Sequence, residues 1–265
     1  MKCHISEIFG PTIQGEGLYT GTPSIFVRFN GCNLCCAFGN SICDTAYTSH
    51  YSSGDEFDDV YKTIDRIKEL LDKSPEVSHI VFTGGEPMLQ QRAIFLITEA
   101  LLTRDVFYTV ETNGTIVPSV DLLRRIDFWS LSPKLASSEH FEDTGVSPVM
   151  QERHKKKRFN IDSFPMYINH HCQIKFVWSG EESTEEINEW LDRVGQEVFP
   201  NPIGYTRDLW RNSYSAPATV FLMPAGSTIE ELQQTQEGCV KACIENGWRF
   251  CDRLHIRIWG NKRRV

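Results

Sequence analysis

The sequence predicts an α/β fold, a partial (β/α) barrel, and three observations carry that prediction. Short runs rich in β-branched and aromatic residues alternate with stretches of helical period along the chain, and such alternation demands a mostly parallel sheet with right-handed crossovers. From residue 25 onward the strands number seven and their helical cover is incomplete, which suits an open barrel better than a closed eightfold one. The polar motifs fall at the carboxyl ends of the strands, where such folds collect their chemistry. With 265 residues, 40% of them hydrophobic, the chain can bury one substantial core and is read as one domain, residues 1–265.

Taken in order, residues 5–17 read as a short strand entering a loop rich in Gly and Pro. Residues 25–29 alternate like a strand end. From Phe57 the apolar positions Val60, Tyr61, Ile64, Ile67, Leu70 and Leu71 form the stripe of an amphipathic helix, with Ser53 or Asp55 as its cap. A buried strand over 79–83, a helix over 91–103, a strand over 106–111, a helix over 119–125 and a strand over 128–132 follow. Strand 173–178, helix 184–199, strand 218–223, helix 228–246 and a final strand 254–259 complete the alternation. Segments 136–171 and 200–217 are long for connections inside a compact domain and read as insertions, lids or mobile loops.

The net charge of −8 argues against a broad nucleic-acid footprint. The basic run Arg153 to Arg158 reads as a solvated loop. No stretch approaches the roughly 18 apolar residues of a membrane helix and no targeting segment is visible, so a soluble cytoplasmic protein is expected.

Cys32, Cys35, Cys36 and Cys43 lie on the loop leaving strand 25–29. Three thiolates at C-x3-C-x6-C (Cys32, Cys36, Cys43) can hold three irons of a [4Fe-4S] cluster and leave the fourth iron open to a small molecule. Zinc is the competing reading, although no second ligand pair lies at a convincing distance. Disulfides lack framework spacing, so the thiols read as reduced. Upstream, Gln14-Gly15-Glu16-Gly17 offers an amide, a carboxylate and backbone N–H groups suited to the edge of a purine-like or pterin ring.

The segment Arg28-Phe29-Asn30-Gly31-Cys32-Asn33-Leu34, with Cys43-Asp44-Thr45 after it and Ile8 to Gly17 before it, resembles the 7-carboxy-7-deazaguanine synthases, a family of radical S-adenosylmethionine enzymes. The family's usual C-x3-C-x2-C is C-x3-C-x6-C here. The aromatic residue common before the third cysteine is Ile42, and the frequent Trp before the second is Cys35, which makes Cys36 the ligand.

The resemblance implies a barrel of the radical S-adenosylmethionine type with a [4Fe-4S] cluster on Cys32, Cys36 and Cys43. It implies S-adenosylmethionine held by Gly84, Gly85 and Glu86 at its amino group, by Ser132, Pro133 and Lys134 at its carboxylate, and by Glu111 and Asn113 at its ribose, with Ile42 and Asp44 alongside. Met223 stands where relatives often carry Gln before Pro, and a thioether cannot supply that amide's hydrogen bonds. Thr45 is implied as a Mg²⁺ ligand, and Ile13, Gln14, Gly15, Glu16, Arg28, Thr83 and Val265 as substrate contacts, with Arg28 on the substrate carboxylate.

The implied reaction converts 6-carboxy-5,6,7,8-tetrahydropterin to 7-carboxy-7-deazaguanine with loss of ammonia, feeding queuosine-type 7-deazapurine pathways. The implied partners are an electron donor such as flavodoxin and a second copy in a homodimer, with no nucleic acid and no membrane. Two alternatives are a radical activase that makes a glycyl radical on a partner protein, and a zinc-binding interaction module. The final strand 254–259 would set His255, Arg257 and Trp259 on one face, and the tail 261–265 would leave the sheet at its functional end, letting Val265 dock.

Overall fold

The computed structural model describes residues 1–38, 41–49, 58–198, 210 and 218–265, and of Ser41, Ile42 and Asp58 only the backbone. Its strands are β1 Lys2–Cys3, β2 Ile5–Ile13, β3 Pro23–Phe29, β4 Ala37–Phe38, β5 Ser41–Ile42, β6 Asp58–Asp59, β7 His79–Gly84, β8 Phe107–Thr112, β9 Phe128–Leu131, β10 Cys172–Trp178, β11 Thr219–Pro224 and β12 Arg249–Phe250. The helices are α1 Ala46–Ser49, α2 Val60–Lys73, α3 Gln91–Ala100, α4 Val120–Leu123, α5 Pro148–Arg158, α6 Phe164–Ile168, α7 Glu181–Val198, α8 Ile229–Asn246 and α9 Leu254–Trp259.

The main sheet runs β12-β11-β10-β9-β8-β7-β3-β2. Only the β2–β3 pair is antiparallel; every other neighbouring pair is parallel. From β3 to β12 each new parallel strand is added on the same side of the last, so right-handed crossovers carry the helices to one face of the sheet. The other face is left for chemistry.

Period-two alternation makes those faces chemically different. Ile25, Val27, Phe29, Ile80, Phe82, Val110, Trp129, Leu131, Ile174, Phe176, Val220 and Leu222 join the main apolar core with Ile64, Ile67, Ile94, Ile97, Trp190 and Val194 of the helices. The intervening positions, Ser24, Arg28, His79, Thr83, Thr109, Glu111, Ser130, Gln173 and Lys175, give the opposite face a polar lining. All but Arg28 and Glu111 are buried.

His79 stitches three strands of this inner face. Ser24 Oγ donates to Thr22 O at 2.8 Å, so it accepts from His79 Nδ1 at 2.8 Å, and Nε2 takes the Thr109 hydroxyl at 2.8 Å. Burial lowers the His79 pKa from an ordinary 6.5 to about 4, so the folded ring stays neutral while the unfolded ring takes up a proton as pH falls below 6.5. Stability is therefore lost between pH 6.5 and 4, by about 2 kcal/mol at pH 5. Urea unfolding at pH 7 and pH 5 should show this loss in the wild type and its absence in His79→Asn; an equal loss in both would dismiss the assignment.

Four expectations are corrected. The segment 254–259 is helix α9, not a strand: α8 ends at Gly247 with φ 69°, and β12 takes the sheet edge beside Phe221 and Leu222. Arg253 is then drawn inward to Glu16, Asp44 and the Gly226 carbonyl, turning the chain off the edge. His255, Arg257 and Trp259 accordingly share no strand face.

The second correction is the cap of α2, which is Asp59 accepting from Tyr61 N; Phe57, Ser53 and Asp55 lie outside the described residues. The third is the basic run, which is no loop but the last turns of α5, with Arg158 paired to Glu139 and Glu186. Lastly, residues 5–13 form a nine-residue strand rather than a short one. Segment 136–171 carries α5 and α6, while of segment 200–217 only the buried Trp210 is described.

Candidate active site at the carboxyl ends of the strands

Residues 37–38 and 41–42, which lie between Cys36 and Cys43, pair as antiparallel strands, with Ala37 opposite Ile42 and Phe38 opposite Ser41. Antiparallel pairing brings the outer ends of two such strands together whatever the spacing in sequence. Cys43 N consequently donates to Cys36 O at 3.2 Å, and the wide C-x6-C spacing closes as a short one would. The side chain of Ile42 lies outside the described residues.

Cys36 is buried, while Cys32 and Cys43 are partly exposed. Burial, helped by the neighbouring Glu86 carboxylate, pushes the Cys32 thiol up to about 12. It also lifts Cys36 well above its ordinary value and raises Cys43. The Lys134 ammonium opposes all three shifts, so it lies where developing thiolate charge would be felt. Cys35 turns away: its Sγ donates to Met150 O at 3.3 Å, its N–H donates to His154 Nδ1 at 3.2 Å, and it packs with Ala37 and Phe141.

Asp44 is held by Arg253 at 2.6 Å, which keeps its carboxylate low. Among the described residues of the loop, Cys32, Cys36 and Cys43 are therefore the soft thiols left for a ligand, Cys35 being engaged with Met150. The donor type suits three corners of a cubane, although among the described residues no group of three such ligands stands ready to hold a metal ion, and loading the cluster would displace the thiol protons.

Gly84 and Gly85 serve the backbone. A Cβ on Gly84, where φ is 133°, would collide with Phe29 O, and one on Gly85 with Gly31 O. The close approach lets Gly85 N reach Phe29 O at 3.1 Å and Glu86 N reach Gly31 O at 2.8 Å, locking the end of β7 to the cysteine loop. Glu86 is 0% exposed and accepts from Met88 N at 3.0 Å, Thr112 Oγ1 at 2.7 Å and Asn113 N at 2.7 Å. Burial nonetheless raises its pKa.

Asn113 donates to Asn33 Oδ1 at 2.9 Å, tying the end of β8 to the same loop. Ser132 accepts from Lys134 Nζ at 2.9 Å across Pro133 in the chain, and its N–H donates to Thr112 O at 2.8 Å. Thr45 Oγ1 lies 3.4 Å from Cys43 Sγ.

A second constellation gathers around the amino-terminal motif. Glu111 accepts from Gln14 Nε2 at 2.9 Å and from Thr83 Oγ1 at 2.7 Å, so it orients those two side chains. Glu16 pairs with Lys175 and with Arg253 Nε at 3.0 Å; these cations hold its carboxyl far below the usual range in spite of burial. Gly15 passes so close to His255 that a Cβ would overlap the ring. Ile13 closes β2 opposite Pro23. Arg28 donates Nε–H to Glu7 at 2.9 Å. Met223 packs with Val177, Phe221 and Cys251, and Val265 ends a tail that folds back toward Glu7.

Residues 26–161 match the Radical SAM superfamily. Over 261 residues the chain is 34% identical to the 7-carboxy-7-deazaguanine synthase of Rhodopirellula baltica, covering 98% of this chain and 87% of that one. The chain belongs to the 7-carboxy-7-deazaguanine synthase family. It is also 36% identical over 269 residues to the 7-carboxy-7-deazaguanine synthase of Bacillus subtilis, covering 98% of each. The crystal structure of QueE from Escherichia coli shares its fold at TM-score 0.58, covering 96% of this chain and 95% of that one at 21% identity.

Membership makes the chain a radical S-adenosylmethionine enzyme, for which the [4Fe-4S] cluster and S-adenosylmethionine are the superfamily's cofactors. The activase and zinc-module readings fall away.

Within this family member, four polar residues at the site escaped the sequence. Lys175 had a signal, since Gln173 and Lys175 are polar at alternate positions of a buried strand. His154 was hidden in a basic run, Arg253 by the strand reading of its neighbours, and Glu7 by an amino-terminal segment read as a plain strand.

Proposed function

We propose that this family member converts 6-carboxy-5,6,7,8-tetrahydropterin to 7-carboxy-7-deazaguanine with release of ammonia, for 7-deazapurine biosynthesis of the queuosine type. The observation that supports it most is the joining of two polar constellations by Arg253, which bonds Glu16 of the amino-terminal motif and Asp44 of the cysteine loop. A substrate ring held by the amino-terminal constellation then lies beside whatever the cysteine-loop constellation holds.

Cys32, Cys36 and Cys43 would hold the cluster, with Ile42, Asp44, Gly84, Gly85, Glu86, Glu111, Asn113, Ser132, Pro133, Lys134 and Met223 around S-adenosylmethionine. When bound, cluster and S-adenosylmethionine supply the radical that takes hydrogen from the substrate.

The chain's own residues orient the pterin. Glu111 aims the Gln14 amide and the Thr83 hydroxyl, both suited to a ring edge carrying donors and acceptors. Lys175 and Arg253 keep Glu16 ionised, so it accepts hydrogen bonds from ring N–H groups. Arg28 uses Nε for Glu7, leaving its terminal nitrogens for the substrate carboxylate. Thr45 contributes a hydroxyl to Mg²⁺, an ion that takes few protein oxygens and keeps its waters. A flavodoxin-type donor and a homodimer complete this reading.

The test is anaerobic incubation of reconstituted enzyme with the tetrahydropterin, S-adenosylmethionine, Mg²⁺ and reductant. A deazapurine chromophore and ammonia in equal amounts are expected. Cleavage of S-adenosylmethionine with no deazapurine formed would reject the proposed substrate.

A further inference from the structure

Glu7 belongs to no motif, yet its carboxylate gathers three arginines, Arg28, Arg263 and Arg264. Its side chain is 2% exposed. Oε1 accepts from Arg28 Nε at 2.9 Å and from Tyr47 OH at 2.9 Å. Oε2 accepts from Arg263 at 3.1 Å and from Arg264 Nε at 2.8 Å. Two acceptor positions on each oxygen are thereby filled.

These donors come from three separate places. Arg28 sits opposite Glu7 across the β2–β3 ladder, beside a register shift between Ile5 and Glu7 that re-aims the strand. Tyr47 stands on α1, two residues past Thr45. Arg263 and Arg264 are in the tail, where the Arg263 guanidinium also lies 3.6 Å from the centre of the Tyr47 ring. Arg264 adopts φ 62°, a backbone conformation that L side chains rarely take without a compensating contact.

A carboxylate this buried is costly unless its charge is compensated. Arg28 alone supplies one cation, and the tail supplies two more. Burial of Glu7 and seating of the tail therefore support each other.

We propose that Glu7 is a positioning residue, a latch that fastens the carboxyl-terminal tail across Arg28 and Tyr47 and so closes the substrate-carboxylate side of the site. This rests on the assignment of Arg28 to the substrate. Glu7 touches no reacting atom; it acts through the tail and through the angle of the Arg28 fork.

The tail carries its own reporter, because Lys262, Arg263 and Arg264 are trypsin sites and a protease needs the segment released and extended. In Glu7→Gln, limited trypsinolysis of the reconstituted enzyme should trim the tail about tenfold faster than in the wild type, read by intact mass, since cleavage follows the population of the open form. KM for the tetrahydropterin should rise about tenfold, a loss of about 1.4 kcal/mol of binding, with cluster iron unchanged and kcat moved less than KM. Glu7→Asp should recover part of both effects.

The double variant Arg263→Ala/Arg264→Ala changes only side chains that are half exposed or more, so it tests the latch even if Glu7→Gln folds poorly. It should raise KM similarly, and adding Glu7→Gln should then cost little more, as expected for partners in one interaction. A KM at the wild-type value in the double variant, or tail trimming at the wild-type rate in a folded Glu7→Gln, overturns the latch. Wild-type enzyme that makes no deazapurine would instead reject the substrate assignment, and the trypsin comparison would still decide whether Glu7 holds the tail.

Discussion

Cys36→Ala, reconstituted anaerobically, should retain no stable [4Fe-4S] cluster and cleave no S-adenosylmethionine, whereas Cys35→Ala should keep iron and sulfide near the wild-type content. The contrast follows from the pairing of β4 with β5. That pairing sets Cys36 beside Cys43, while Cys35 spends its N–H on His154 and its thiol on the Met150 carbonyl. Removing one of three thiolates leaves two irons tethered, too few for a cubane already open at its fourth corner. Iron and sulfide analysis with the visible absorbance of the cluster reads both variants. Loss of iron in Cys35→Ala alone would shift the ligand register by one residue.

Glu16→Gln is expected to be the most damaging change outside the cysteines. Lys175 and Arg253 are both buried, and Glu16 is the carboxylate they share. Neutralising it leaves two cations close together in a site with little water; breaking a buried pair in this way costs about 3–5 kcal/mol. The melting temperature should fall by roughly 10 °C, and turnover of the tetrahydropterin should be lost.

A second substitution separates the two effects. Lys175→Met added to Glu16→Gln removes one stranded charge and leaves Arg253 with Asp44, so most of the thermal stability should return while turnover does not. An unchanged melting temperature in Glu16→Gln would show that the network contributes little. Recovery of turnover in the double variant would show that Glu16 serves only its neighbours.

Much of this molecule is legible in local pattern. β3, β7, β8, β9, β10 and β11 are legible because their two faces alternate between core and polar lining, and that alternation is written residue by residue; the short β4, β5 and β6 are not. The helices α2, α7 and α8 were found because each keeps one apolar stripe. Cys32, Gly84, Gly85, Glu86, Asn113, Ser132 and Lys134 were placed together for a topological reason: parallel strands added on one side must present their carboxyl ends at one rim.

What the sequence could not express are the contacts that span it. Leu254 to Trp259 alternates like a strand, but a strand needs an edge, and β12 had already taken it. Arg253 then turned inward to charges at positions 16 and 44. The chemistry of Glu7 depends on arginines at positions 28, 263 and 264 and on Tyr47. The wide cysteine spacing became close only because residues 37–38 and 41–42 paired with each other. In each case local period fixed the backbone and the rim on which the motifs stand. Long-range pairing of buried charges decided which of those side chains remain available to a ligand, because a charge taken from water must find a partner wherever in the chain that partner lies.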